Sequence, residues 1–233
     1  NFALERLVIS NAQVRYIEHG GARQELSGVS LQMAWPGVGQ AADVTVEASP
    51  FGQKIDATVR IAQPIVLLNG GHTTVTAGLA AADGGATFHG QFGIAPEADG
   101  IVQIQAPDSA RFLQAFGLSG GEGPMSVDGG ITFTRGKRLS LRGVELEALG
   151  NRFNLQADVD LNGPRPKVAA QVATQTLRFV SEDGEGGGAA NDNAAPVGWS
   201  KAPIDASVLG LVDGTVSFAA EAMDLNGISF GKT

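Results

Sequence analysis

The sequence predicts an all-β protein: one large antiparallel sheet, curved into a groove or open half-barrel, with two short helices. Three observations lead there. Apolar and polar residues alternate one by one in about a dozen stretches. The clearest sets Phe153, Leu155, Ala157, Val159 and Leu161 against Asn154, Gln156, Asp158 and Asp160, the period of a strand with one dry and one wet face. The 33 glycines and 10 prolines among 233 residues fit many strands joined by tight turns. Helical spacing is confined to two short pieces, near 109–116 and 205–211.

Along the chain, Leu7 and Ile9 begin one strand, and Ala12, Val14 and Tyr16 a second, before the His19-Gly20-Gly21 turn. Val29, Leu31, Met33 and Trp35 share a face up to Pro36-Gly37, and Val44, Val46 and Ala48 follow. Ile55, Ala57, Val59 and Ile61 form the next strand, and Ile65 to Leu68 reads as a short apolar one. Val75, Ala77 and Leu79 alternate up to Asp83-Gly84-Gly85, a turn chemistry that requires positive φ. Phe88, Gly90, Phe92 and Ile94 answer on the partner, and then come Val102, Ile104 and Ala106. The first helix has Phe112, Leu113 and Phe116 on one side, Asp108 or Ser109 as N-cap and Gly117 just past its end. Strands resume with Val127, Ile131 and Phe133. The parity slips between Leu141 and Val144, which predicts a bulge at Gly143. Phe153 to Leu161 and Val168 to Val172 follow.

The chain therefore divides into a sheet region over 1–180, a flexible acidic and glycine-rich loop over 181–197, and a short helix with a closing strand pair over 198–233. The start at Asn1 and the end at Thr233, both next to strand-like sequence, read as those of a segment cut from a longer protein.

Such a sheet owns an apolar face that needs a cover. Twelve strands of ~7 residues present on the order of 1,300 Å² on one side, whereas two helices of two turns shield roughly 240 Å². Either two sheets pack face to face, or one sheet curls until its dry side lines a trough. The many alanines and glycines among the dry positions leave room and favour the trough.

Composition excludes several classes. A net charge of −8 opposes nucleic-acid binding, which needs a basic track. With no cysteine there is no disulfide and no thiolate metal site. His19, His72 and His89 have no metal-ligand spacing and read as solvated. Asp158 and Asp160 share a strand face, the arrangement of an acid–base or Ca²⁺ pair, but Asn154 and Gln156 continue the row as a solvent face would. Gly120-Gly121-Glu122-Gly123 lacks the Lys-Ser/Thr of a phosphate loop. One tyrosine and two tryptophans are too few for a carbohydrate cleft. The expectation is a non-enzymatic protein without cofactor or metal.

The run Trp199-Ser200-Lys201-Ala202-Pro203-Ile204-Asp205, followed by Leu209, Leu211-Val212-Asp213 and Val216, resembles the C-terminal region of AsmA-family proteins. Leu4, Leu7, Ile9, Asn11-Ala12, Val14 and Tyr16 resemble the family's opening strand pair, and Leu26 to Leu31 the strand after it. Arg165-Pro166 ahead of Val168 matches another strand entry. Glu18 stands near where the family often has Asp, and Gly214 where a bulkier residue is common. The resemblance implies a periplasmic segment of a bacterial protein anchored in the inner membrane by a helix outside this sequence. It also implies kinship with bridge-like lipid-transfer proteins and a part in phospholipid transport and outer-membrane biogenesis.

The expected function is therefore acyl-chain binding in a β-groove. Its lining is expected to include Phe88, Phe92, Ile131, Phe133, Phe153, Leu155 and Val159. Sheltered methylenes contribute about 0.8 kcal/mol each, on the order of 10 kcal/mol for a chain of ~16 carbons before binding costs. A groove of this kind is expected to discriminate little between head groups. The alternative is a structural or protein-interaction module in envelope assembly, with dry faces closed on each other and sheet edges or the acidic loop recruiting protein partners.

Overall fold

The computed structural model describes residues 5–17, 23–95, 97–119, 121–179, 213–225 and 228–231. Alternation resolves into β1 (Arg6–Ile17), β2 (Arg23–Ala34), β3 (Ala42–Ala48), β4 (Ile55–Ile61), β5 (His72–Ala81), β6 (Gly84–Gly93) and β7 (Glu97–Ala106). After these come β8 (Met125–Thr134), β9 (Arg138–Ala148), β10 (Asn151–Asp160), β11 (Lys167–Phe179), β12 (Asp213–Leu225) and β13 (Ile228–Gly231). Two helices interrupt the series, α1 (Pro64–Leu68) after β4 and α2 (Ser109–Gln114) after β7. All thirteen strands belong to one sheet whose spatial order is the sequence order. The sheet is curved and open, not closed into a barrel. A face-to-face pair of sheets is thus not how the dry side is treated among the described residues.

The sheet is mixed, which corrects the all-antiparallel expectation. β11 and β12 run parallel, with Lys167 opposite Asp213 and Phe179 opposite Leu225. A parallel neighbour needs a crossover of a dozen residues or more, and 180–212 separate the two strands. Alternation carries no information on strand direction, so the parallel pairing leaves no trace in the residue pattern. The acidic loop over 181–197, the helix near 205–211, the His19 turn and the Trp199 motif all lie outside the described residues.

Bulges keep the apolar residues in phase. β1 is one strand, not two: it gains an extra residue between Ile9 and Ala12, where Asn11 has φ 52. β2 gains one at Gly28, φ 73, and β9 one at Gly143, φ 56, the expected bulge. Each extra residue shifts the side chains by one position, so Leu7 and Ile9 stay on the same side as Ala12 and Val14, and Leu139 and Leu141 on the same side as Val144 and Leu146.

Two local expectations fail for identifiable reasons. Ile65 to Leu68 is helix α1, not strand. Pro64 at its first position pre-sets φ, and the Gln63 amide donates to the Thr73 hydroxyl at 3.0 Å. In the β5–β6 turn the positive φ falls on Ala82 (φ 47), while Gly84 lies inside β6. Gly84 serves packing instead: a β-carbon there would lie 2.5 Å from the Phe112 ring.

Helix α2 forms where expected. The Asp108 carboxylate accepts from the Arg111 amide at 3.1 Å, and Gly117 (φ 72) closes the helix as the Leu118 amide returns to the Leu113 carbonyl at 3.0 Å. Phe112 packs with Ile55, Ala81, Ala106 and Ala115, and partly buried Leu79, Ile104, Phe116 and Met125 complete this small core. Phe112 and Phe116 meet edge to face at 5.3 Å.

Candidate functional site

The strand register places the apolar residues in rows that cross the sheet. One row runs Val59, Ala77, Phe88, Val102 and then Gly129. The next runs Ile61, Val75, Gly90, Gly100, Ile131, Leu141 and Ala157. A third joins Phe92, Ala98, Phe133, Leu139, Val159 and Val168. All seven residues expected to line the groove share this face.

Most of the face is half-buried, not closed over. No large side chain among the described residues is fully buried, and Phe218 stays 52% exposed, Val216 63%. The two helices stand over the same face at opposite edges, α1 through Leu67 and α2 through Phe112. A ten-residue strand is ~33 Å long and each helix covers about 10 Å of it, which leaves a strip of roughly 13 Å between them. The helices overlie β4 to β8. From β9 to β12 no helix among the described residues lies over the face.

Against α1 the strip deepens into a cavity of ≈ 470 Å³ lined by Val59, Ile61, Leu67, Val75, Ala77, Phe88, Phe92, Ala98 and Ile131. No polar side chain enters this lining. Phe88, Phe92 and Ile131 are therefore brought together. Phe133 and Val159 flank Leu139 nearer the α1 edge. Phe153 and Leu155 lie farther along on β10, where the Phe153 ring approaches Phe218 at 6.4 Å. Sequence reasoning missed Leu67, because its segment read as strand. It also passed over Val59, Ile61, Val75, Ala77 and Ala98, whose parity was legible but whose neighbours across the sheet were not.

Glycine shapes the floor. Gly90 and Gly100 sit opposite each other in this face, and a β-carbon on Gly100 would lie 2.4 Å from the His89 carbonyl oxygen and 2.7 Å from the Gly90 Cα. The Phe88 ring lies across the pair, at 2.8 Å from the position of either β-carbon, an aromatic cover for two bare backbones. Gly100→Val should therefore lower stability by about 2 kcal/mol or more through overpacking, read as a shift of the urea midpoint. An unchanged midpoint would show that the strands part there without cost.

The opposite face is polar and its groups are paired. Arg60 binds Asp43 through two contacts at 2.8 and 2.9 Å, Thr76 meets His89 at 3.0 Å, and Gln103 donates to Asp128 at 2.6 Å. Asp158 accepts from the Ser140 hydroxyl at 2.6 Å and from Arg142 at 2.7 Å. These contacts, the Ser140 hydrogen bond first, hold its carboxyl below the ordinary range. Asp160 instead turns to the Asn162 amide at 2.9 Å, so the two carboxylates do not act on a common point. Among the described residues no three His, Asp or Glu side chains converge as a metal ion requires. A second, larger cavity of ≈ 890 Å³ opens by the β9–β10 turn; its lining mixes apolar groups (Ala106, Pro107, Pro124, Met125) with polar and charged ones in about equal measure, and within it Arg152 and Glu147 neutralise each other. Trp35 is buried, its ring nitrogen donating to the Gln40 carbonyl at 3.2 Å, and offers no stacking platform.

At the α1 edge, His72 and Arg135 both reach Glu97, at 2.7 and 2.9 Å. The His72 contact, and then the Arg135 charge, lower the Glu97 pKa. A carboxyl whose folded pKa is depressed adds stability above its unfolded pKa, and this is lost as pH falls through the folded value. Melting temperature should therefore fall on acidification through the carboxylate range, and Glu97→Gln should shallow that slope without changing its sign. An identical slope in the variant would show that the triad adds nothing.

The fold and face define a class: an open, single-layer β-sheet with one continuous apolar side, partly roofed by two short helices. Comparison of the chain with protein-family models, with curated proteins and with solved structures finds no match.

Proposed function

We propose that this chain is the acyl-chain-binding trough of an AsmA-like envelope protein, working in the periplasm from an inner-membrane anchor to carry phospholipid for outer-membrane biogenesis. The observation that carries the reading is the apolar face. It crosses twelve strands in register, stays half-exposed, and deepens into a cavity with no polar side chain in its lining. Contiguous apolar surface on this scale marks a binding surface, and hydrocarbon tails satisfy it without directional contacts. The family assignment rests on the sequence resemblance alone. Catalysis has no support in the site, since the carboxylates and histidines described above serve structural pairs on the outer face and rim.

The test is native mass spectrometry of protein purified from membranes without added lipid, followed by reconstitution with defined phospholipid. Co-purifying phospholipid that is displaced by added lipid supports the reading. Consistent absence of lipid together with failure to load would reject it.

One observation favours an interaction role. β13 pairs only with Ala222 to Leu225 of β12, so among the described residues the β12 backbone from Asp213 to Glu221 has no neighbour on that side, an edge able to accept another strand. Loss of envelope-protein capture after Ser217→Pro, with lipid loading intact, would support this second reading.

A further inference from the structure

We infer that the cavity against α1 is a slot for one extended acyl tail of ~16 carbons, kept open by Phe88 and by two alanines in its floor. This rests on the trough reading and deepens it, because an open apolar face alone selects neither the number of tails nor their length. The slot runs across the strands. Its lining starts at Val59 and Ile61 on β4 and ends at Ile131 on β8, four strand spacings or ~19 Å away. An extended saturated chain advances ~1.25 Å per carbon, given C–C bonds of ~1.5 Å, so about fifteen carbons reach from end to end. The volume leads independently to the same length. The cavity holds ≈ 470 Å³, and a methylene takes roughly the ~30 Å³ of a water molecule, so on the order of sixteen fit. Length and volume agree only for a single file of methylenes, and a second tail has to lie outside, on the open face.

Small residues keep the file open. Ala77 on β5 and Ala98 on β7 each stand one strand in from an end and present only a methyl group to the slot. The Phe88 ring would fill the middle if it stood upright from the sheet. Instead it lies over Gly90 and Gly100, which have no side chains to lift it. The glycine pair thus has a part in binding as well as in packing. Leu67 of α1 lines the slot from the helix side. Past β8 the row of Ile131 continues to Leu141 and Ala157, but no helix among the described residues lies over it. Carbons beyond the slot therefore stay partly in water and add less to binding.

The experiment uses the whole chain and straight saturated fatty acids of ten to twenty carbons, each kept below its micelle concentration, competing with a fluorescent fatty acid. Affinity should rise on the order of tenfold for each added pair of carbons up to about sixteen, and less than about twofold per pair beyond. Ala98→Phe fills the slot one strand short of Ile131, beside Phe92 and Phe133, and should move the break down to about twelve carbons. Ala77→Leu, near the opposite end, is the second variant and should shift the break in the same direction. Phe230→Ala on β13, far from the slot and 55% exposed, should leave it in place. Circular-dichroism melts show that each variant is folded, and the profile of the parent chain tests the slot without any variant. A gain that continues evenly to twenty carbons, or a break that neither alanine substitution moves, overturns the slot and leaves the trough standing. Failure of every chain to bind overturns the trough itself.

Discussion

Phe112→Ala will lower the stability of this protein by about 3–4 kcal/mol, the cost of removing a buried phenylalanine whose surroundings cannot collapse into the space. The sheet has little other closed core. Most of its apolar residues are half-buried, and the buried cluster is Phe112 with Ile55, Ala81, Ala106 and Ala115. Three of those partners are alanines, too short to fill the gap, and Gly84 is bare because the ring occupies the space its side chain would need. Chemical denaturation followed by circular dichroism reads the effect. Phe218→Ala is the comparison: with that ring 52% exposed, the loss should stay below about 1 kcal/mol. Equal losses at the two positions would show that α2 does not anchor the sheet.

Ile131→Asp will leave the fold intact and weaken acyl-chain binding about 100-fold. Ile131 is only partly buried, so a carboxylate there remains hydrated in the empty protein, and the far-ultraviolet spectrum and melting temperature should hardly move. With a tail in place the same group faces hydrocarbon in the cavity shared with Leu67, Phe88 and Phe92. A carboxylate in an apolar medium costs about 3 kcal/mol on insertion scales, and each 1.4 kcal/mol is about tenfold in affinity. Ile131→Val removes one methylene and should bind nearly as the parent does. The measurement is loading of a defined phospholipid by native mass spectrometry. Full loading of the aspartate variant would place the lipid elsewhere.

The strands and their dry faces were legible because a period of two survives in a single sequence, and at Gly143 even the loss of phase was visible. At Asn11 the same kind of slip read as a break between two strands, since no glycine marks it. Ile65 to Leu68 misled because a short apolar run has no period to separate strand from helix; Pro64 was the signal that decides it. The site was legible only as a list of residues on one face. That Phe88, Phe92 and Ile131 meet while Phe153 lies far along the sheet depends on which strands neighbour which, and alternation is silent on this. The parallel entry of β12 was hidden for the same reason. It also accounts for a bare position: a β-carbon on Gly214 would lie 1.9 Å from the Val168 carbonyl oxygen, so a larger residue has no room in this pairing.

From β1 through β11 each strand is hydrogen-bonded only to the strands just before and just after it in the chain. Adding one hairpin of about twenty residues lengthens such a molecule by about 10 Å and disturbs no existing pairing. Its reach is then a quantity that gene duplication can set in even steps. Because the partners of β1 to β10 are all close in sequence, each new hairpin can dock as it is synthesised, and this part of the polypeptide can take shape from its first strands onward without waiting for its last.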